Sequence, residues 1–247
     1  MESINASDVL EAARKMYSNI KEREKCSGEL SWERCYQSFR ELQNAARASE
    51  RLEDEACLSL AVYLASYGMY RGSSFVSRCD ASIHRPIVEM LASEEYRELA
   101  FRAQKGFLQS ADRKRLWKLE KRVSAHYGEV RTEVFSWDLT EGTKARKPVG
   151  PVSQILVSKI LLGTLGCVPA YDARFCKSAK KFASRVPCSL SENSLVKLYE
   201  AFSEVEDDLE RTCGEMVFLS AGGGGSNDLT YPPVKVIDMG MWCLGGR

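Results

Sequence analysis

The chain has 247 residues, of which 44% are hydrophobic and 28% charged, and its formal net charge is +1. This length suffices for a large core in one domain or two lobes, and the composition is that of an ordinary globular protein. The near-neutral charge excludes a global attraction to nucleic acid or membrane, so any such partner must be bound by a local patch.

Apolar residues recur with a helical period along most of the chain, and no alternating strand pattern stands out. The first predicted helix begins at Ser7 or Asp8 and ends near Glu24. The next predicted helices cover 31–48, 53–70, a segment from Pro86, 94–105 and 111–127, the last of these closed by Gly128. Then follow an apolar helix that stops at Gly166 and helices over 173–184, 191–213 and 234–244. The pattern therefore predicts an all-α protein.

The cysteine and histidine content indicates the cellular compartment of the protein and whether it can bind a metal. Nine cysteines are scattered without a CxxC pair, which is typical of reduced thiols, so we expect a cytoplasmic protein. With only two histidines we expect no His/Cys metal site, and we expect His84 at the surface or at a helix cap. The N-terminus lacks a signal-peptide pattern, and the apolar run 155–168 is too short to span a bilayer, so no membrane partner is expected.

The most informative segment runs from Pro148 to Asp172 and orders a Pro/Gly turn, an apolar helix, a Gly/Pro loop and an isolated acid. Backbone amides at the Gly150 turn, which opens a helix, can form a cradle for a DNA phosphate. An acid in a nearby pocket can stabilise a positively charged sugar. From the residues alone, Asp172 can equally be only a helix N-cap, and Gly150 only a turn between helices.

This order resembles the helix-hairpin-helix DNA glycosylases, whose shared core is a hairpin followed by a Gly/Pro-rich loop and a catalytic Asp. The turn reads PVGPVS rather than the family's usual pattern. The resemblance implies a two-lobed helical bundle with a helix-hairpin-helix motif, in which 1–247 form one globular unit and 144–186 hold the motif and the loop. The matching residues are Pro148, Val149 and Gly150 in the turn, Gly166 and Pro169 in the loop, and Asp172 as the acid.

The resemblance further implies a monofunctional glycosylase that hydrolyses the bond between the sugar and a flipped base and leaves an abasic site in double-stranded DNA. Asp172 would stabilise the sugar cation and orient water, and Gln154 stands where lyase members of the family carry a lysine. Neither Gln154 nor Ser153 can form a Schiff base, although Lys147 and Lys159 leave lyase activity open. No cofactor is expected, since only two cysteines lie near the C-terminus, too few for an iron–sulfur cluster.

Two further groups of residues are candidates for contacts with the nucleic acid. The turn and the basic residues that flank Asp172 would contact phosphates, unless they form only a solvated face. The end of the 53–70 helix would line a base pocket by stacking and polar contacts, unless it is only a core helix with its cap. The phosphate contacts are Lys147, Val149, Gly150, Ser153, Lys177 and Lys181, and the pocket residues are Tyr67, Tyr70, Arg71 and Ser73.

The identity of the excised base stays open at this level. An ordinary lesion and a modified cytosine of phage DNA, excised in antiviral defence, are both compatible with the resemblance. The alternative is a non-catalytic helical module that binds DNA, RNA or protein through the same hairpin and basic helices. In either case we expect a monomer.

Overall fold

A computed structural model describes residues 3–23, 28–45, 48–72, 74–140, 150–182, 186–219 and 229–246. Within these ranges the β-pairing consists of two isolated bridges, Ile4 with Phe182 and Val217 with Thr230, so the all-α class is confirmed. No helix in the same ranges is both long and apolar enough to cross a bilayer. The α-helices are α1 (Ala6–Arg23), α2 (Leu30–Asn44), α3 (Glu50–Ser66), α4 (Arg85–Leu91), α5 (Glu94–Lys105), α6 (Ser110–Thr140), α7 (Gln154–Thr164), α8 (Ala173–Ala179), α9 (Glu192–Phe202), α10 (Glu206–Glu215) and α11 (Pro233–Gly245).

Several helix ends differ from the sequence-based expectation. Helix α3 ends before Gly68, whose φ of 79° starts a turn, so the helix does not reach Tyr70. Helix α6 continues through Gly128 to Thr140, since a glycine inside a helix costs only about 1 kcal/mol. The predicted 173–184 helix ends at Ala179, and a 3-10 turn over Ser203–Val205 divides the predicted 191–213 helix into α9 and α10.

Helix α7 lies in the centre of the protein. Every residue from Leu156 to Tyr171 is buried, in agreement with the apolar sequence of this segment. Gly163 has no side chain, so the ring of Tyr63 packs directly against the helix backbone. The indole of Trp32 donates a hydrogen bond to the Leu162 carbonyl at 3.0 Å. These contacts hold α7 against α2 and α3 and fix the position of the loop that follows it.

Helix α11 closes the molecule over this loop. A side chain at Gly240 would overlap the backbone of Val9 in α1, and one at Gly245 would overlap the backbone of Arg174 in α8. Ser178 also donates a hydrogen bond to the Met241 carbonyl at 2.6 Å. Most of the buried apolar residues from α1 to α11 belong to one continuous cluster. The division into two lobes stays a prediction, as does the hairpin, because residues 141–149 lie outside the described ranges.

Candidate active site

Asp172 is the N-cap of α8, as one of the two sequence interpretations predicts. Its Oδ1 atom accepts hydrogen bonds from the backbone amides of Arg174 at 3.1 Å and Phe175 at 3.0 Å. Its Oδ2 atom lies 3.9 Å from the Lys159 ammonium, and the side chain is 16% exposed. One carboxylate oxygen therefore stabilises the helix, while the other takes part in a charge cluster.

The backbone before Asp172 is strained. Tyr171, which is buried, has a φ of 44°, the left-handed region that residues with a side chain seldom adopt. Such a conformation costs about 1–3 kcal/mol and persists only where the surrounding structure enforces it. Here the enforcing contacts include the Asp172 cap and the packing of the Tyr171 ring on Phe175 at 5.4 Å between centroids. The carboxylate is thus held by a rigid, strained loop.

Lys159, on α7, is buried next to this carboxylate. Its ammonium donates a hydrogen bond to the Tyr67 carbonyl at 2.9 Å and lies 5.4 Å from the centroid of the Tyr67 ring. Burial lowers the pKa of Lys159 from its usual value, whereas the carboxylates of Asp172 and Asp238 act in the opposite direction. The lysine is therefore a buried cation with both a carbonyl and an acidic partner.

Two residues of α11, Lys235 and Asp238, complete the cluster. The Oδ1 atom of Asp238 accepts a hydrogen bond from the Ala170 amide at 2.8 Å, two residues before Asp172. Burial raises the pKa of Asp238 to about 6, against the lowering effects of Lys235 and of the Ala170 amide. Burial also lowers the pKa of Lys235, whose ammonium lies 4.8 Å from the centroid of the Trp32 ring. Two buried lysines thus share one site with two acids.

Asp172, Lys235 and Asp238 line a small pocket of about 20 Å³, which has room for about one water molecule and which we call the Asp172 pocket. Lys159 is not among its lining residues. The hydroxyls of Tyr63 and Tyr67 are buried and have no hydrogen-bond partner within the part of the chain that the structure describes. A buried, unsatisfied hydroxyl is unfavourable, so a ligand that hydrogen-bonds to these groups would be stabilised. The pocket is lined by Tyr63, Tyr67, Asp172, Lys235, Asp238 and Trp242, among others.

A larger groove of about 270 Å³ lies between α5, α10 and α11. Its acidic residues, Glu206 and Glu210, are exposed to solvent, whereas the charged groups of the Asp172 pocket are mostly enclosed. Charges act most strongly where water is excluded. The Asp172 pocket is therefore the better candidate for chemistry.

The residues predicted at the turn are only partly where the sequence analysis expects them. Gly150 has a φ of 75° and lies in an exposed turn, and Ser153 caps α7 by accepting from the Ile155 amide at 3.3 Å. Gln154 is exposed, and its Oε1 atom accepts from the Leu190 amide at 3.0 Å. It is not among the residues that line the Asp172 pocket, so its expected place at the pocket wall is wrong. Lys147 and Val149 lie outside the described residues.

Of the predicted base-pocket residues, the structure brings only Tyr67 into the Asp172 pocket. Tyr70 instead bonds to the Nε2 atom of His84 at 2.9 Å, and Arg71 is exposed, although it contributes to the lowered pKa of Lys159. Ser73 lies outside the described residues. His84 occupies the N-cap position of α4, one of its two expected places, but its side chain makes no cap bond. The side chain is buried rather than exposed, because Tyr70 and Tyr127 satisfy both of its ring nitrogens.

The basic residues after Asp172 remain at the surface. Lys177 is exposed on α8, and Lys181 is half-buried just after this helix, where its backbone carbonyl accepts from the Ile4 amide at 3.1 Å. Both are on the chain segment that starts with Asp172.

Lys235 and Asp238 are the charged residues of the site that were not predicted from the sequence. The signal that could have found them is their occurrence in PVKVIDMGMWCLG, an otherwise apolar helix with only these two charges. Charged side chains in a buried helix are rarely tolerated unless they are paired or functional. Their four-residue span places them on one face of the helix.

The chain was also compared with known proteins. No family model, no curated protein and no solved structure matches it.

Proposed function

We propose that this protein is a DNA glycosylase that hydrolyses the bond between a flipped base and its sugar. The observation that carries the proposal is the Asp172 carboxylate, held by two backbone amides with its second oxygen beside a largely enclosed pocket. Cleavage of a glycosidic bond passes through a sugar with cationic character, and a carboxylate fixed in a water-poor pocket stabilises such a cation. The order of motifs in the sequence supports the same reaction.

The surrounding contacts favour water over an amine as the attacking group, which is the monofunctional reaction. The Lys159 nitrogen donates a hydrogen bond to the Tyr67 carbonyl, faces Asp172 and is not among the groups that line the pocket, so it is not placed for attack on the sugar. Asp172 would orient the water and stabilise the cation. Tyr67 would contact the flipped base, which unstacks at a cost of a few kcal/mol. The pocket would have to widen to admit the base, since it has room for about one water molecule.

Double-stranded DNA would be bound by two groups of residues, one that precedes α7 in the sequence and one that follows Asp172. The backbone amides of Gly150 and Ser153, which precede α7, would contact a phosphate, whereas the Ile155 amide is already bound to Ser153 Oγ. Lys177 and Lys181 would add positive charge after Asp172. Lys147 and Val149 keep their predicted phosphate contacts as part of the proposal. A monomer suffices for this arrangement, and a cytoplasmic location agrees with access to DNA.

The test uses duplex oligonucleotides that each carry one modified base, including uracil, 8-oxoguanine, 7-methylguanine, hydroxymethylcytosine and its glucosylated form. After incubation, alkali converts abasic sites into strand breaks, which a denaturing gel resolves. We expect breaks that require alkali on at least one duplex, and the base concerned identifies ordinary repair or defence against modified phage DNA. Breaks without alkali, together with borohydride trapping of the protein on DNA, would show a lyase instead.

The matched variants are Asp172→Asn and Asp80→Asn. Asp80 also caps a short helical turn, accepting from the Ser82 amide at 2.9 Å, but it does not line the pocket. We expect Asp172→Asn to reduce excision at least 100-fold and Asp80→Asn to leave it unchanged. Undiminished excision by Asp172→Asn would refute the role of the carboxylate.

A second candidate is a non-catalytic module that binds nucleic acid or protein, because the two amide bonds alone account for Asp172 as a helix cap. In that case no duplex is cut, and Asp172→Asn retains full affinity for DNA. Substitution of Lys177 and Lys181 would then weaken binding and its salt dependence. Gel-shift titrations at two salt concentrations separate this outcome from catalysis.

A further inference from the structure

Two half-buried thiols lie against each other. Cys176 is on α8, and Cys188 is in the segment that leads to α9. The Sγ atom of Cys188 donates to the Cys176 carbonyl at 3.5 Å, and the Sγ atom of Cys176 lies 3.9 Å from the Cys188 carbonyl oxygen. The two side chains also contact each other. Each sulfur therefore points towards the backbone of the other residue, as the two halves of a disulfide must.

Hydrogen bonds from neighbouring elements hold both backbones in place. Gln154, at the start of α7, donates to the Cys188 carbonyl at 3.4 Å and accepts from the Leu190 amide at 3.0 Å. On the other side, the Cys176 amide donates to the Asp172 carbonyl at 2.9 Å in the first turn of α8. The two thiols are twelve residues apart in the sequence, so they meet because the fold positions them.

Their exposure distinguishes these thiols from the cysteines of the core. Cys35 and Cys167 are completely buried, which raises the pKa of both thiols and keeps an oxidant away from them. Cys176 and Cys188 are partly open to solvent. A small oxidant can therefore reach two sulfurs that already face each other, the setting in which thiols oxidise to a disulfide.

We propose that Cys176 and Cys188 are an oxidation site, at which a hydroperoxide converts the two thiols into a disulfide between α8 and the segment before α9. The reactant is a small hydroperoxide, of which hydrogen peroxide is the simplest. The pair stays reduced while thiol reductants are in excess, and the disulfide closes when the peroxide level rises. The inference is independent of the proposed glycosylase function, because it involves neither DNA nor the Asp172 carboxylate.

Hydrogen peroxide is the two-electron oxidant in this reaction. Burial and the contact with Cys188 raise the pKa of Cys176, so the first step is assigned to Cys188. The Cys188 sulfur attacks one peroxide oxygen, the O–O bond breaks, and a sulfenic acid and water form once the thiol proton is taken up. The Cys176 sulfur then forms the S–S bond and displaces hydroxide, which takes up the Cys176 proton. Two thiols and one peroxide thus give one disulfide and two waters.

The first test treats the folded full-length protein with a small molar excess of hydrogen peroxide, alkylates the remaining thiols and maps the tryptic peptides without reduction. Cleavage leaves Cys176 in peptide 175–177 and Cys188 in peptide 186–197, so the disulfide joins these two peptides. We expect the linked pair to form about tenfold faster than the Cys79 thiol is lost. Dithiothreitol should restore both separate peptides.

Three serine variants define the reaction. Cys176→Ser and Cys188→Ser should give no linked peptides. In Cys176→Ser, the Cys188 sulfenic acid has no partner thiol, so it should proceed to the sulfinic acid, which adds two oxygens to peptide 186–197. Cys79→Ser is the control and should cross-link like the wild type, because Cys79 is also half-buried but bonds to the Phe75 carbonyl of its own helical turn at 3.4 Å.

The melting temperature gives a second readout. A disulfide that fits the fold restricts the unfolded chain, here across twelve residues. Peroxide treatment should therefore raise the melting temperature of the wild type by about 4 °C relative to Cys188→Ser treated in the same way. Cys79→Ser should show the same rise as the wild type.

Three results would overturn the inference. One is the absence of the linked peptides from folded protein at a peroxide dose that consumes the Cys79 thiol. Another is a link that forms only after unfolding in urea, and the third is a link that lowers the melting temperature, since the fold would then not be arranged for the bond. These results leave the glycosylase proposal unaffected, because excision by the wild type and Asp172→Asn tests it separately.

Discussion

The Lys159 ammonium lies 3.9 Å from the Asp172 carboxylate, with only 6% and 16% of the two side chains exposed. A buried cation is stable only when nearby groups compensate for its lost hydration. Here the Tyr67 carbonyl supplies a hydrogen bond and Asp172 supplies the opposite charge. The pair therefore links the end of α3, the centre of α7 and the start of α8 into one site.

Replacement of Lys159 by methionine tests this link. The substitution leaves the Tyr67 carbonyl without its donor and Asp172 without its buried counter-charge. We expect the free energy of unfolding, measured by urea titration at pH 7, to fall by about 2 kcal/mol. Lys197→Met is the control, because Lys197 forms an exposed pair with Glu200 and should change stability by less than about 0.5 kcal/mol. Equal stability of both variants would contradict the described contacts.

The buried His84 side chain should make the free energy of unfolding smaller in acid. Burial lowers its pKa to about 4, whereas an unfolded histidine titrates near 6.5. The folded state thus binds fewer protons, so the contribution is complete above pH 6.5 and declines as the pH falls towards 4. Between pH 7 and pH 5 we expect the contribution of His84 to the free energy of unfolding to fall by about 2 kcal/mol.

The effect of His84 must be separated from that of Asp238, whose raised pKa acts in the opposite direction over part of this range. The measured quantity is therefore the difference in unfolding free energy between wild type and His84→Gln at each pH. This difference should shrink as the pH falls, since the glutamine does not titrate. A difference that is constant from pH 7 to pH 5 would show that His84 is not held in its neutral form.

Two glycines test the close packing of α11. A methyl group at Gly240 would overlap the backbone of Val9, whereas one at Gly214 in α10 would meet no atom within 4 Å. We expect Gly240→Ala to reduce the free energy of unfolding by more than about 3 kcal/mol, because the overlap is with backbone. The melting temperature should fall strongly as a result. Gly214→Ala should be neutral or stabilising by about 0.5–1 kcal/mol. Similar melting temperatures for the two variants would mean that α1 and α11 do not approach so closely.

Local patterns in the sequence predicted the helices and their nature well. Apolar periodicity located α1, α2, α5, α7 and α11, and the capping preference of aspartate predicted the N-cap at Asp172. The errors occurred at glycines, because a glycine can either lie inside a helix or end one. Gly128 was expected to end a helix that continues past it, and Gly68 ends α3 earlier than the expected Gly72. Packing against neighbours decides such cases, and it is not encoded in a short window.

The set of residues that form the site depends on tertiary contacts far more than the positions of the helices do. The sequence alone determined that the chain is helical, that α7 is buried and that Asp172 caps a helix, because hydrophobic periodicity and capping act between neighbouring residues. Only the tertiary structure placed Lys235 and Asp238 beside Asp172 and turned Gln154 towards Leu190. The close approach of α11 to the loop before α8 brings these charges together and excludes water from them. Burial of this kind shifts the pKa values of Lys235 and Asp238, and it arises from contacts between distant parts of the chain.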